Sequence, residues 1–238
     1  MITAKDIQSR FDEDGYYILE GLLGSGEAER LDGLARSIMD SMGAGYVALE
    51  GVLNHIPDMA PLCMHPLILE VAEAVLGEGF VIANSVALKW CKPGTKAQGL
   101  HGDWPLQAVA RSVPGSPTPP WGGLAVRWML TDFTPENGAT RIIPFSHHVQ
   151  RPPTRDAYPH EIPVTGKKGT AFLYHNGLWH RAAANTTSDQ HRMLASLFYI
   201  PASSYRPPEA WPHVKREVYA QFPQRLQQLL ERAVEPIR

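Results

Sequence analysis

Cysteine is scarce in this sequence: Cys63 and Cys91 are the only two among 238 residues. Two cysteines are too few for the disulfide framework of a small secreted domain, so a reducing, cytoplasmic location is expected. No stretch of about 18 uncharged apolar residues occurs, and the first residues lack a basic region followed by an apolar core. Secretion and membrane spanning are therefore not expected.

An excess of basic residues is also lacking. The 22 Lys and Arg residues are balanced by 24 Asp and Glu, giving a formal net charge of −2 at pH 7. Nonspecific nucleic-acid binding depends on neutralising several phosphates with a basic surface, so nucleic acid is not an expected partner. The 238 residues are enough to bury one sizeable core, and a single domain over residues 1–238 is predicted.

Three regions are predicted within that domain: an N-terminal helical part (about 1–79), a β-rich part (about 80–201) and a C-terminal helical tail (about 207–238). Apolar spacing and capping residues predict helices at 3–13, from Ser25 onward, and from His65 to Gly77. The tail is expected to be helical from about residue 214, with an interruption at Pro223. An extended segment is predicted at 16–20, after the Asp14-Gly15 turn. Strands are predicted at 81–90, 124–133, 140–143, 170–174 and 193–200.

The first motif that carries chemistry is His101-Gly102-Asp103. Alternate side chains of a strand share a face, so His101 and Asp103 can offer a nitrogen and an oxygen to one ion while Gly102 points away. One more imidazole completes a facial triad, which leaves the other positions of octahedral Fe(II) open to a bidentate ligand and O2. The triplet alone also occurs by chance as a surface or core pair.

Residues 169–199 contain the candidates for the third ligand. They are predicted to form a strand, a turn, a short strand, a loop and a long strand. Asn185 lies five positions after His180, and Arg192 lies twelve positions after it. This order of histidine, loop asparagine and strand-opening arginine resembles the phytanoyl-CoA dioxygenase-like family of Fe(II)/2-oxoglutarate oxygenases. Counting from His175 lengthens both spacings, so the resemblance favours His180 as the third ligand.

The resemblance covers roughly residues 80–200. It includes Lys92-Pro93-Gly94, the strand and Glu-Asn-Gly turn at 128–138, and Pro144-Phe-Ser-His147, where the family more often has Pro-Gly-Ser-His. It implies a mainly β fold with flanking helices: a double-stranded β-helix, or cupin-like jelly-roll barrel, with iron at its mouth.

Site residues follow from the resemblance and from side-chain chemistry. His101, Asp103 and His180 are expected to be the Fe(II) ligands. Arg192 is expected to pair with the distal carboxylate of the cosubstrate 2-oxoglutarate, because its planar fork matches a carboxylate. Two further cosubstrate contacts are implied by relatives. Asn84 is either such a contact or a structural amide, and Trp128 either lines the cosubstrate pocket or packs in the core.

Substrate contacts are less defined by the sequence. Trp104 follows the metal motif and Trp179 precedes His180, so either can reach the substrate, although filling of the barrel is the alternative for such indoles. His175 is either structural or substrate-facing. For His147 a role in stabilising a turn is expected, on the premise that His147 and His148 point to opposite faces. The Pro-, Gly- and Ser-rich stretch 112–120 is long enough to cover a pocket.

Together these expectations describe a dioxygenase that uses Fe(II), O2 and 2-oxoglutarate to oxidise a small-molecule substrate in secondary metabolism, such as antibiotic biosynthesis. Hydroxylation is the default reaction, and desaturation or oxidative cyclisation would use the same residues. Three alternatives stay open. One is a cosubstrate-independent metal enzyme of the cupin type, which would not need Arg192, and another is a non-catalytic jelly-roll binding protein. The third is an oxygenase that acts on a protein or nucleic acid, which would require an extended groove or a basic face, neither of which the sequence clearly offers.

Overall fold

The computed structural model describes residues 2–83, 86–103, 123–149, 152–154, 157–202 and 213–235. Within them the helices are α1 Ala4–Asp14, α2 Ser25–Met39, α3 Pro66–Leu76, α4 Arg216–Tyr219 and α5 Gln224–Leu230. The strands are β1 Tyr16–Leu19, β2 Tyr46–Leu49, β3 Phe80–Ile82, β4 Ala87–Cys91, β5 Leu124–Met129, β6 Thr140–Ile142, β7 Ile162–Pro163, β8 Ala171–His175, β9 His180–Ala182 and β10 Arg192–Pro201. Short 3-10 segments lie at Val52–Asn54, Pro57–Met64 and Ser146–Val149.

Two antiparallel sheets form the centre of the fold. The larger has the strand order β1-β8-β5-β10-β4-β2, with β3 also paired to β10, and the smaller has the order β7-β6-β9. Non-consecutive strands are neighbours in both sheets, as expected of a jelly roll. The predicted mainly β fold with flanking helices is confirmed.

The two faces of the large sheet bury different cores. Even-numbered residues of β5 and odd-numbered residues of β10, including Trp128 and Ala195, belong to the core that contains the helices. Their strand neighbours, including Met129 and Leu194, belong to a second core between the sheets. Because side chains alternate along a strand, each β5 residue can be assigned to the helical side or to the barrel interior.

The helices form largely where the sequence predicts them. The side chain and backbone of Thr3 share a capping box with Asp6 at the start of α1, and Pro66 occupies the first turn of α3. Pro223 separates α4 from α5, in agreement with the predicted interruption. Among the residues that the structure describes, no single helix is long and apolar enough to cross a membrane; Pro57–Met64 and α3 reach that length and apolarity only together, across a 55° bend.

The first 79 residues are not purely helical, in contrast to the predicted division. β1 pairs with β8 and β2 pairs with β4, so two strands of the large sheet come from this region. β1 lies within the extended segment predicted at 16–20, whereas β2 was not predicted, because four residues are too short for their alternation to stand out. The N-terminal region therefore extends the sheet at both edges and covers one of its faces.

The Pro144-Phe-Ser-His turn adopts a glycine-like backbone. Phe145 has φ +65°, and among the described residues it is the one non-glycine position with positive φ. Its N–H donates to the carbonyl of Asp14 (3.0 Å), which ties the turn to the end of α1. The departure from Pro-Gly-Ser-His thus leaves the turn in place, but with a side chain where the conformation favours glycine.

Candidate active site

Backbone pairing brings the two halves of the metal motif together. His101 and His180 form an isolated antiparallel bridge, with N to O distances of 3.0 and 2.7 Å. The N–H of Asp103 donates to the carbonyl of Asn176 (3.0 Å), in the turn between β8 and β9. Residues 101–103 therefore run beside β9, and residues that are 79 positions apart in the sequence face one another.

The three predicted ligands form a compact donor set. One ligand atom from each of His101, Asp103 and His180 lies within 4.8 Å of the others. Oδ1 of Asp103 is 3.2 Å from Nε2 of His180 and 3.9 Å from Nε2 of His101. The structure thus brings together the two imidazoles and one carboxylate that the sequence predicts.

Hydrogen bonds orient both imidazoles for binding. Nδ1 of His101 lies 2.8 Å from the carbonyl of Gly99, and Nδ1 of His180 lies 2.9 Å from the carbonyl of Leu178. A carbonyl only accepts, so each Nδ1 carries a proton, and in the neutral ring Nε2 is the nitrogen that can bind a metal. Nε2 of His180 also lies 3.0 Å from Nη2 of Arg127. Burial lowers the pKa of His101, which favours the neutral form that a metal requires.

The other oxygen of Asp103 is held by two groups that the sequence analysis missed. Oδ2 accepts hydrogen bonds from the Tyr174 hydroxyl and from Nη2 of Arg127 (3.1 Å). Burial alone would raise the pKa of the Asp103 carboxyl, but His180, Arg127 and Tyr174 hold it well below its usual range. The carboxylate is therefore ionised, with Oδ2 fixed and Oδ1 turned toward the imidazoles.

Arg192 presents an unpaired guanidinium inside the barrel. Its side chain is 1 % exposed and its Nε donates to the carbonyl of Gly138 (3.0 Å), whereas Nη1 and Nη2 have no hydrogen-bond partner among the described residues. Burial lowers the pKa of Arg192, and the nearby Tyr46 hydroxyl acts in the opposite direction. Two buried donors in one plane fit an incoming carboxylate, so the residues present suit a metal-bound keto acid with a distal carboxylate.

Asn185 and Gly138 set the position of Arg192. Nδ2 of Asn185 donates to the carbonyls of Cys91 and Gln190, which closes the loop before β10. Gly138 has φ +88°, and a Cβ there would come within 2.6 Å of Sγ of Cys91. The Glu-Asn-Gly turn and the loop asparagine are therefore structural supports of the carboxylate anchor.

Of the two alternatives for Trp128, the structure supports packing in the core and contradicts lining of the cosubstrate pocket. Its side chain lies on the helical side of β5, where its ring centroid is 5.6 Å from that of His65. Arg127, the preceding residue, points into the barrel instead. The sequence marked the right strand, but alternation places the neighbouring residue at the site.

His175 and Trp179 also pack away from the triad. The His175 ring is 5.9 Å from Phe11 and 5.3 Å from His147, and its Nδ1 accepts a hydrogen bond from the N–H of Gly177. The structural alternative for His175 is therefore supported, and the substrate-facing one is not. The indole of Trp179 is buried against the Tyr158 ring at 5.0 Å, which favours its packing alternative.

His147 stabilises a turn, as expected, but the premise about His148 was wrong. Both residues lie in the 3-10 segment Ser146–Val149, so their rings lie on the same side, 3.9 Å apart. Nε2 of His147 donates to the carbonyl of Asp12, and Nε2 of His148 donates to that of Glu13. The alternation rule does not apply because this segment is not extended.

Asn84, Trp104 and the stretch 112–120 lie outside the described residues, and their predicted roles stay predictions. Arg127 and Tyr174 were missed because each lies in a strand that reads as core. The available signal was an arginine within the apolar run of β5, since an arginine is rarely buried there without a partner.

Comparison with known proteins gives a consistent picture. The phytanoyl-CoA dioxygenase (PhyH) family matches residues 11–193. Dioxygenase trt7 of Aspergillus terreus is 27% identical over 234 residues, covering 91% of this chain and 80% of that protein. The Fe(II)/2-oxoglutarate-dependent dioxygenase nvfF of Aspergillus novofumigatus is 28% identical over 232 residues, covering 88% and 76%.

The chain shares its fold with solved structures. EctD from S. alaskensis, determined with 2-oxoglutarate and 5-hydroxyectoine, has a TM-score of 0.70 and 26% identity over 87% of this chain and 78% of that one. The non-heme α-ketoglutarate-dependent epimerase SnoN from nogalamycin biosynthesis has a TM-score of 0.67 and 25% identity over 86% and 85%. The chain therefore belongs to the phytanoyl-CoA dioxygenase family and is an Fe(II)/2-oxoglutarate-dependent dioxygenase, as its sequence predicted.

Proposed function

We propose that this dioxygenase oxidises a small organic molecule, with His101, Asp103 and His180 as its iron ligands and Arg192 as its 2-oxoglutarate anchor. The observation that carries the proposal is the buried Arg192 guanidinium with two unpaired donors, in the same barrel as the three ligand side chains. A metal site without a carboxylate cosubstrate gives no reason to bury such a group, because an unpaired buried charge is costly. This argues against the cosubstrate-independent alternative.

Each residue has a task that follows from its geometry. Iron and 2-oxoglutarate, when bound, supply the oxidising chemistry by coupling O2 reduction to decarboxylation of the keto acid to succinate and CO2. His101 and His180 offer Nε2 lone pairs, and Asp103 offers Oδ1. Arg192 fixes the distal carboxylate and thereby the direction in which the cosubstrate lies.

The substrate is proposed to be a secondary metabolite. EctD was determined with 5-hydroxyectoine, and SnoN acts in nogalamycin biosynthesis, so relatives with this fold act on or bind small molecules. Hydroxylation, desaturation and oxidative cyclisation each begin with oxidation at one C–H bond, and the pose of the substrate decides among them.

An anaerobic titration tests the cosubstrate class before any substrate is known. Metal-free protein is loaded with Fe(II) and then titrated with 2-oxoglutarate, while the weak visible metal-to-ligand charge-transfer band of the chelate is recorded. The band is expected to saturate at one 2-oxoglutarate per chain. Its absence in folded, iron-loaded protein would contradict the proposal.

Substitution of the ligand set tests the residue assignment. Asp103→Ala is expected to abolish tight Fe(II) binding and the charge-transfer band, because the only carboxylate of the donor set is lost. Asp132→Ala, which removes an aspartate that pairs with Lys167 at the surface, is the matched control and should bind iron normally. Retention of tight iron binding in Asp103→Ala would move the metal site elsewhere.

A further inference from the structure

Arg127 is a second buried guanidinium at the site. The roles proposed for the metal ligands and for Arg192 do not explain why it is buried there. It lies on β5, opposite Ser196 of β10, and points into the barrel. Its Nη2 is 3.1 Å from Oδ2 of Asp103 and 3.0 Å from Nε2 of His180. Its Nε is buried and has no hydrogen-bond partner among the described residues. Arg127 thus lies directly beside the atoms that bind the metal.

The charges around the triad are not balanced by the described residues alone. Arg127 and Arg192 are two cations, whereas Asp103 is the single carboxylate in contact with the imidazoles. A ferrous ion adds two further positive charges to this interior. A dicarboxylate brings two negative charges that offset these two positive ones. A site with two arginines therefore attracts an anion more strongly than a site with Arg192 alone.

Arg127 and Arg192 lie on neighbouring strands and point into the same interior. Arg192 lies four residues before Ser196 on β10, which corresponds to about 13 Å along the strand. Arg127 reaches Asp103. Burial lowers the pKa of the Arg192 guanidinium and the charge of Arg127 lowers it further, so the two cations share one interior. A dicarboxylate offers one carboxylate to each guanidinium.

We propose that Arg127 is a second carboxylate anchor, which binds the metal-chelating end of 2-oxoglutarate while Arg192 binds the distal end. This inference rests on the proposed function, because it assumes that the triad holds iron and that Arg192 holds the distal carboxylate. Arg127 also orients Asp103 through Oδ2. The anchor role and the orienting role predict different binding behaviour.

A keto acid without a distal carboxylate separates the two arginines. 2-Oxobutyrate keeps the chelating end of 2-oxoglutarate but has nothing for Arg192 to bind. Arg127→Gln is expected to weaken both compounds by about tenfold or more in iron-saturated protein, because a desolvated ionic hydrogen bond is lost. Arg192→Gln is expected to weaken 2-oxoglutarate similarly and to leave 2-oxobutyrate within about twofold. Arg30→Gln, which removes an exposed arginine on α2, is the matched control.

Binding is measured anaerobically from the charge-transfer band and independently by calorimetry, after the Fe(II) affinity of each variant is known. Unchanged 2-oxobutyrate binding in Arg127→Gln overturns the proposal, as does failure of 2-oxobutyrate to bind the unsubstituted protein. If Arg127→Gln loses Fe(II) affinity but iron-saturated protein binds both keto acids normally, Arg127 only positions Asp103 and the anchor is wrong.

Failure of the proposed function itself has a different signature. In that case 2-oxoglutarate gives no band with the unsubstituted protein, whereas failure of the Arg127 inference alone leaves that band intact. Arg127→Lys is the second variant, for use if Arg127→Gln does not fold. It keeps the charge without the planar fork, so intermediate affinity for both keto acids is expected, and unchanged affinity counts against the anchor.

Discussion

At the residue scale, the two oxygens of Asp103 have separate tasks. Oδ2 accepts from Arg127 and Tyr174, which leaves Oδ1 facing the imidazoles. Tyr174→Phe removes one donor while the ring still packs against Phe172 at 4.9 Å. We expect the Fe(II) dissociation constant to rise about tenfold, since a hydrogen bond to a charged group contributes ~1.5 kcal/mol. Competition with a metal-binding indicator measures this, and Tyr17→Phe on β1 is the control. An unchanged constant would mean that Arg127 alone fixes the carboxylate.

The backbone of Phe145 supplies a second prediction at this scale. Its φ of +65° is disfavoured for any residue with a Cβ, and its side chain is 54 % exposed. Comparison of Phe145→Gly with Phe145→Ala isolates the backbone, because both variants lose the aromatic ring. We expect the glycine variant to be more stable by about 1 kcal/mol in urea unfolding. Equal stability of the two would show that the turn relaxes out of the left-handed region in solution.

At the scale of elements, His175 of β8 couples stability to pH. Burial lowers its pKa from 6.5 to about 3, and its Nδ1 is occupied as an acceptor for the N–H of Gly177. The unfolded chain therefore binds a proton between pH 6.5 and about 3 that the folded chain excludes. Stability contributed by the neutral imidazole is fully present above pH 6.5 and is lost as the pH falls toward 3, at up to ~1.4 kcal/mol per pH unit.

Replacement of His175 tests this coupling. His175→Asn keeps an acceptor near the N–H of Gly177 but does not titrate, so its stability should fall less steeply between pH 7 and pH 5. Urea unfolding at several pH values compares the two proteins, and the same exchange at the exposed His160 is the control. Parallel pH profiles for His175→Asn and the unsubstituted chain would assign the acid sensitivity to other groups, such as His147, whose pKa burial also lowers.

Strand alternation also explains which site residues could be predicted from the sequence. The triad and Arg192 could be predicted because their spacing along the chain identifies them, whichever way each strand faces. Trp128 and Arg127 are adjacent, and the sequence alone does not say which face of β5 meets the barrel interior, because that depends on how the helices cover the sheet. His147 and His148 were misjudged for a related reason, since their shared side depends on a 3-10 turn.

At the scale of the whole molecule, the sequence predicts the class of fold better than the membership of its sheets. Long strands such as β10, with ten residues, show their pattern directly. The Asp14-Gly15 turn indicates the extended segment that forms β1, but β2 becomes a strand because β4 offers it a free edge, and this information is not local. Propensity therefore fails where long-range pairing decides, as it does for the four residues of β2.

The same long-range construction links the stability of the fold to its ligands. The triad joins residues 101–103 to β9, and Arg192 joins β10 to the turn at Gly138, so bound iron and 2-oxoglutarate would connect elements from both sheets.

With each ligand at about 100 times its dissociation constant, binding should add ~2.7 kcal/mol per ligand. For a chain of this length, that corresponds to a rise in Tm of about 5–10 °C per ligand. Thermal unfolding under anaerobic conditions, with and without a chelator, measures both steps. In Arg192→Gln, which removes a carboxylate anchor and leaves the three metal ligands in place, the iron step should persist. For a tenfold loss of affinity, the 2-oxoglutarate step should shrink to about half, ~1.4 kcal/mol, at the same concentration. Equal 2-oxoglutarate steps in the two proteins would show that the dicarboxylate stabilises the fold without contacting Arg192.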